Sequence, residues 1–115
     1  MALNIKQEVN QVIKQINTVA SVQKIYLFGS FAYGKADDHS DIDLCIITND
    51  SDVRKRDLVR SIRKSITKVA TMPIDILVYD KEEFLKRAKV NSTLEYKINK
   101  EGISVYERKE VLRAR

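Results

Sequence analysis

The sequence has few of the residues that cross-link or interrupt a chain: one cysteine, one proline and three glycines among 115 residues, and no tryptophan. A lone Cys45 excludes an internal disulfide, which is typical of a reducing compartment. The scarcity of glycine and proline argues against a flexible linker. We therefore expect one domain over residues 1–115, with the charged segment 108–115 as a frayed tail.

Long apolar runs are also missing. The stretch ILVY at 76–79 is far too short to span a bilayer, and the opening MALNIKQEVNQVIK lacks the apolar centre of a signal peptide. These features predict a cytoplasmic protein that does not contact a membrane. The net charge of +5 is mild support for an anionic partner. Much of the excess positive charge lies in residues 53–68. This segment could form a nucleic-acid-binding patch or the solvated face of an amphipathic helix, and we favour the helix, so direct binding of nucleic acid is not expected.

Hydrophobic periodicity and turn residues divide the chain into alternating helices and strands. This order predicts an α+β fold, an α/β sandwich in which helices pack against one sheet. The predicted helices cover 3–19, 52–69, 81–88 and 93–100, with a short helical segment at 30–34. Asp80 and Ser92, each followed by a glutamate three residues later, are the predicted caps of the last two helices. The predicted strands cover 24–28, 41–48, 74–79 and 103–107.

Three aspartates lie near the starts of two predicted strands. Side chains alternate along a strand, so Asp41 and Asp43 share a face, while Ile42, Leu44 and Ile46 point to the other face, taken as the core side. Asp75 occupies the same kind of position in the third strand. If the two strands are neighbours, the three carboxylates converge at one end of the sheet. All-oxygen ligands of this kind suit Mg²⁺, which usually shares its coordination with phosphate and water.

A Gly-Ser pair follows the first predicted strand and can supply the phosphate side of such a site. Gly29 allows the backbone to approach a ligand closely, and the amides that follow it, with the Ser30 hydroxyl, could hold an anion. The Gly-Ser pair and the Asp-x-Asp pair are each a weak signal when found alone. Gly-Ser after a strand, ten residues, Asp-x-Asp, and an aspartate in a later strand together make a much stronger one.

The segment GSFAYGKADDHSDIDLCI, residues 29–46, resembles the GS-x(10)-DxD signature of the DNA polymerase β-like nucleotidyltransferase superfamily. The short length and the ending SDIDL resemble its minimal nucleotidyltransferases (MNT), often encoded beside a HEPN-domain protein. The resemblance implies a mixed sheet flanked by helices and a Mg²⁺-dependent transfer of AMP from ATP to a hydroxyl. It also implies that the chain is an antitoxin whose acceptor is a tyrosine of a partner HEPN toxin.

The same resemblance assigns roles to individual residues. Asp41 and Asp43 would bind two metal ions, and Asp75 would bind the catalytic ion and help to deprotonate the acceptor. Nucleotide binding is expected at Gly29, Ser30, Lys35 and Ser40. The family turn often carries arginines, as in GSRARG, where this chain has Phe31 and Tyr33. Lys35 is the candidate substitute, the alternative being a solvated loop lysine.

Two other functions stay open. One is an antitoxin that neutralises its partner by masking it, without catalysis; the other is a nucleic-acid-binding regulator, which rests only on the net charge and the basic helix. The sequence leaves the assembly open between a homodimer and a hetero-oligomer.

Overall fold

The computed structural model describes residues 2–49 and 52–108, and within this part the chain forms helices and strands in the predicted order. The predicted tail lies outside the described residues from 109 onwards. The helices are α1 (Ala2–Val19), α2 (Lys55–Ile66), α3 (Lys81–Ala88) and α4 (Leu94–Glu101). The strands are β1 (Val22–Phe28), β2 (Ile42–Thr48), β3 (Ile74–Asp80) and β4 (Ile103–Glu107).

The strands form one mixed sheet in the order β3-β2-β1-β4. β1 pairs antiparallel with both β2 and β4, whereas β2 and β3 are parallel and joined through α2. A parallel pair needs a crossover connection of this kind. The prediction of an α+β fold with a mixed sheet flanked by helices is confirmed.

Both faces of the sheet are covered. On one face, Ile42, Leu44 and Ile46 of β2 join a core built with α1 and α2. On the other face, Cys45 and Ile47 join a second cluster with residues of α3 and α4. The view that the first of these faces is the core side is therefore incomplete, because the second is buried from Cys45 onwards.

The single thiol lies in this second cluster. Cys45 is fully buried, and that burial, with a smaller contribution from the charge of Glu95, raises the pKa of its thiol to about 12. A buried, protonated thiol behaves as a small apolar side chain. Cys45 is thus a packing residue.

The basic helix α2 is shorter than the predicted 52–69. Its apolar side chains Leu58, Ile62 and Ile66 are buried, whereas its arginines are exposed. Residues 67–69 continue it only as turns. The amphipathic interpretation is confirmed. Across residues 2–49 and 52–108, no helix combines the length and apolar character needed to cross a membrane.

The caps of α3 and α4 differ in how well they were predicted. Asp80 caps α3 by accepting a hydrogen bond from the Glu83 amide at 2.8 Å, as expected. The expected Ser92 cap of α4 is wrong. Thr93 caps this helix, its hydroxyl accepting from the Tyr96 amide at 3.0 Å.

Residues 29–34 form a tight turn after β1 in place of the predicted short helix at 30–34. The Gly29 carbonyl accepts hydrogen bonds from the amides of both Ala32 and Tyr33, and the Ser30 carbonyl accepts from Lys35. Gly29 and Gly34 have φ angles of +77° and +72°, a region that disfavours residues with a Cβ atom. Glycine is therefore favoured at both ends of the turn.

Gly29 has a second reason to lack a side chain. A Cβ atom there would lie 2.1 Å from Oδ2 of Asp43, which is a steric overlap. A Cβ atom at Gly34 would have no neighbour within 4 Å among the residues that the structure describes. The missing side chain at Gly29 thus creates the space that the Asp43 carboxylate occupies.

This difference predicts unequal effects of two alanine substitutions. Gly34→Ala has only the backbone penalty and should lower the free energy of unfolding by about 1–2 kcal/mol. Gly29→Ala has the same penalty and must also displace Asp43, which should cost a further ~1–3 kcal/mol. Urea denaturation followed by circular dichroism measures both; equal losses would show that the contact with Asp43 is not tight.

Candidate active site

Three carboxylates predicted from sequence occur at one end of the sheet. Asp43 of β2 and Asp75 of β3 are direct partners in the parallel register, and Asp41 immediately precedes β2. Neighbouring strands lie roughly 4.8 Å apart, so the register brings the two strand aspartates side by side. Both belong to the sheet face that carries α3 and α4, where Asp43 is half-buried and Asp75 is exposed.

The carboxylates interact electrostatically. The pKa of Asp43 is raised above its usual 3.8, first by partial burial, then by the charge of Asp75 and then by that of Asp41. A raised pKa of this origin marks a place where negative charge is disfavoured and a cation would be favoured. Perturbed carboxylates of this kind are typical of functional sites.

The donor set fits a hard divalent cation in chemical type. All three side chains offer only oxygen, and the space beside Gly29 admits the Asp43 carboxylate against the backbone. As positioned, however, no group of three potential His, Cys, Asp or Glu ligands within the described parts of the chain is arranged to hold an ion. The three carboxylates are therefore the right type of ligand for a divalent cation and occupy one end of the sheet. Their side chains, as positioned, do not point to a common centre.

The turn after β1 offers fewer anion-binding amides than its sequence suggested. The amides of Ala32, Tyr33 and Lys35 already donate hydrogen bonds inside the turn. Among the described residues, the amides of Ser30 and Phe31 have no such backbone acceptor. These two amides, with the half-buried Ser30 hydroxyl, remain the candidate anion donors.

The two other predicted nucleotide-binding residues lie in the loop that follows the turn. Lys35 is exposed. The Ser40 hydroxyl accepts a hydrogen bond from the Asp37 amide at 2.8 Å and lies 3.3 Å from Asp37 Oδ1. Ser40 thus closes its own loop, and a role in nucleotide binding would require it to give up these contacts. Both assignments stay predictions.

Two residues near the turn, Tyr33 and Lys97, make a contact that the sequence did not predict. The hydroxyl of Tyr33 is buried, and no described residue forms a well-aligned hydrogen bond with it. Burial and the charge of Glu101 raise the pKa of Tyr33, while the nearby Gly29 backbone opposes that rise. The ammonium group of Lys97, in α4, lies 4.9 Å from the centre of the Tyr33 ring. No local motif signals this contact, because the two residues are distant in sequence.

α4 is held against the sheet by two polar contacts, one of them buried. Tyr79 of β3 donates a hydrogen bond to the buried carboxylate of Glu95. Burial, followed by this hydrogen bond, raises the pKa of the Tyr79 hydroxyl. Tyr26 of β1 donates to Asn99 at 3.2 Å. These contacts fix the helix relative to β3, which carries Asp75, and to β1, which precedes the Gly-Ser turn.

The raised pKa of Asp43 predicts the sign of a pH effect on the metal-free protein. The folded state binds this proton more tightly than the unfolded state, so ionised Asp43 destabilises the fold. This destabilisation is complete above the folded pKa and disappears as the pH falls below the ordinary value of 3.8. Asp43→Asn should therefore unfold at higher urea concentration than the unaltered chain at pH 7, with the difference shrinking as the pH falls to about 3.5.

The matched control is Asp38→Asn, which removes the same charge from an exposed loop position. It should change the urea midpoint little at either pH. An Asp43→Asn midpoint at pH 7 equal to or below that of the unaltered chain would contradict the repulsion described above.

Comparison with known proteins identifies the fold and the family of this chain. Residues 6–100 match the family described as nucleotidyltransferase domain. A Sulfolobus solfataricus protein assigned to the nucleotidyltransferases has a similar structure, with a TM-score of 0.61 and 17% identity over 93% of this chain and 84% of that one. No curated protein matches the sequence significantly.

Two toxin–antitoxin structures are also similar in fold. One, a complex with AMP-PNP, has a TM-score of 0.52 and 19% identity over 86% of this chain and 73% of that chain. The other, a mutant of the MntA–HpeT pair, has a TM-score of 0.50 and 16% identity over 86% and 72%. At these identities the likeness concerns the fold.

The family match covers most of the sheet, the Gly-Ser turn and all three aspartates. The prediction of a nucleotidyltransferase is confirmed at this level: the chain belongs to the nucleotidyltransferase domain family.

Proposed function

We propose that this chain is a Mg²⁺-dependent adenylyltransferase that moves AMP from ATP to a hydroxyl group of a partner protein, a tyrosine of a HEPN-domain toxin. The observation that carries this proposal is the alignment of Asp43 with Asp75 beside the Gly-Ser turn. Membership of the nucleotidyltransferase domain family supports the class of reaction. The fold shared with a toxin–antitoxin complex containing AMP-PNP supports the nucleotide and the kind of partner.

The carboxylates would hold the metal ions, two by resemblance to the family, with Asp41 and Asp43 binding both and Asp75 binding the catalytic one. Magnesium bound there would neutralise charge on the phosphates and favour in-line displacement. Gly29 and Ser30 would position the triphosphate through backbone amides and the hydroxyl. The remaining catalytic contribution is orientation of the two substrates.

The reaction forms one bond and breaks one. The acceptor hydroxyl oxygen bonds to the α-phosphorus of ATP while the bond from that phosphorus to the bridging oxygen of the β-phosphate breaks. Pyrophosphate leaves with the electron pair, and the hydroxyl proton passes to the Asp75 carboxylate. Asp75 is suited to meet an acceptor on another molecule because it is exposed and lies on an edge strand.

The test is transfer of label to a HEPN-domain protein from the same genome. With Mg²⁺ and ATP labelled at the α-phosphate, the acceptor should gain label, and ATP labelled at the γ-phosphate should leave it unlabelled. Asp43→Asn should lower the rate at least ~100-fold, because a lost metal ligand removes charge stabilisation of the transition state. Asp38→Asn serves as the charge-matched control and should retain the rate.

Absence of α-label, or equal labelling by Asp43→Asn, would contradict the proposal. If the Asp43→Asn variant still neutralises the toxin without labelling it, the chain is instead an antitoxin that masks its partner. Salt-dependent binding to DNA in place of the HEPN protein would favour a nucleic-acid regulator.

A further inference from the structure

The turn that should hold the triphosphate has almost no positive charge of its own. Residues 29–34 contain no lysine or arginine, and Lys35 follows in the exposed loop. A triphosphate is strongly anionic, and the candidate donors from the turn are two amides and one hydroxyl. A cation from another part of the fold would complete such a site.

Lys97 is the cation that the fold brings to this turn. Its ammonium lies 4.9 Å from the centre of the Tyr33 ring, and Tyr33 is tied to Gly29 by a backbone hydrogen bond of 3.1 Å. Gly29 in turn packs against the Asp43 carboxylate. A series of contacts thus connects Lys97 in α4, through Tyr33 and Gly29, with Asp43 near the start of β2.

The position of Lys97 is set by the way α4 is anchored. The helix is capped by Thr93 and held to the sheet by the Tyr26–Asn99 hydrogen bond. Gly102, at its end, lies close to β1, since an added Cβ atom would be 3.3 Å from the Tyr26 ring; the same atom would be 2.5 Å from the Ile98 carbonyl oxygen of α4. The helical backbone from which the Lys97 side chain extends is therefore held in place.

The charge of Lys97 is available to a ligand. Within residues 2–49 and 52–108, it makes no salt bridge, and its side chain is exposed. The charge of Glu101, four residues further along the helix, acts on Tyr33, and no salt bridge within 4.0 Å joins Glu101 to Lys97 among the described residues. An exposed cation–π contact is weak, so the ammonium can exchange the ring for a phosphate oxygen at little cost.

We propose that Lys97 binds the β- and γ-phosphates of the nucleotide, with Tyr33 positioning its side chain, so that α4 supplies the charge that the turn lacks. This inference rests on the proposed function and adds a residue to its nucleotide site. It assigns to Lys97 the phosphate contact that sequence reasoning gave to Lys35. The simpler alternative is a surface lysine lying on a half-buried ring.

The experiment measures binding of AMP-PNP with Mg²⁺ by isothermal titration calorimetry. Lys97→Met should weaken binding about 10- to 100-fold, the value of a charged hydrogen bond. Lys97→Arg, which keeps the charge, should restore affinity to within about threefold of the unaltered chain. Thermal unfolding should be nearly unchanged in both, since the side chain is exposed.

Lys100→Met is the matched control. Lys100 lies on the same helix and its ammonium is 5.6 Å from the ring of Tyr96, another tyrosine of α4. The substitution should leave the affinity for AMP-PNP within about threefold of the unaltered value. Tyr33→Phe, which preserves the ring, should bind more tightly than Tyr33→Leu, which removes the surface on which Lys97 lies.

The outcomes separate this inference from the function on which it rests. If the unaltered chain binds AMP-PNP but Lys97→Met binds it equally well, the inference is wrong and the proposed function survives. The inference is also wrong if Lys100→Met loses as much affinity, or if the loss appears only with Lys35→Met. If the unaltered chain does not bind AMP-PNP, both are overturned.

Discussion

The parallel pairing of β2 with β3 is the constraint on which the site depends. It sets Asp43 directly beside Asp75, while most of the apolar side chains of both strands are buried between two layers of helices. Because side chains alternate, a shift of one residue would turn one of these aspartates into the apolar layer below α1 and α2. The burial of Leu44 and Ile46 on that layer therefore fixes the register, and the register fixes the separation of the two carboxylates.

A second consequence concerns charge. Pairing two strands so that carboxylates meet is unfavourable, and the raised pKa of Asp43 records this. The absent side chain of Gly29 then lets the Asp43 carboxylate lie against the turn that follows β1. This end of the sheet is therefore less stable than it could be, but its local geometry suits cations and phosphates. The buried strands and the contacts of α4 hold the surrounding structure in place.

Much of this arrangement could be predicted from sequence because its signals are local. Alternation in DIDLCIIT and IDILVY indicated the strands and their faces, and Asp80 indicated a helix start. Features that depend on tertiary contacts could not be predicted. Thr93 rather than Ser92 caps α4, and Lys97 reaches Tyr33 only because that helix packs beside β1. The turn at 30–34 also has too few residues for its sequence to distinguish a helix from successive turns.

Binding of divalent metal by the three aspartates beside the Gly-Ser turn is the property from which the proposed chemistry follows. Crystals of the chain grown with Mn²⁺ and AMP-PNP would test it through the anomalous scattering of manganese. We predict an anomalous peak at coordination distance from carboxylate oxygens of Asp43 and Asp75, with the phosphates of AMP-PNP next to Ser30. A nucleotide bound elsewhere, or manganese bound away from these carboxylates, would contradict this prediction.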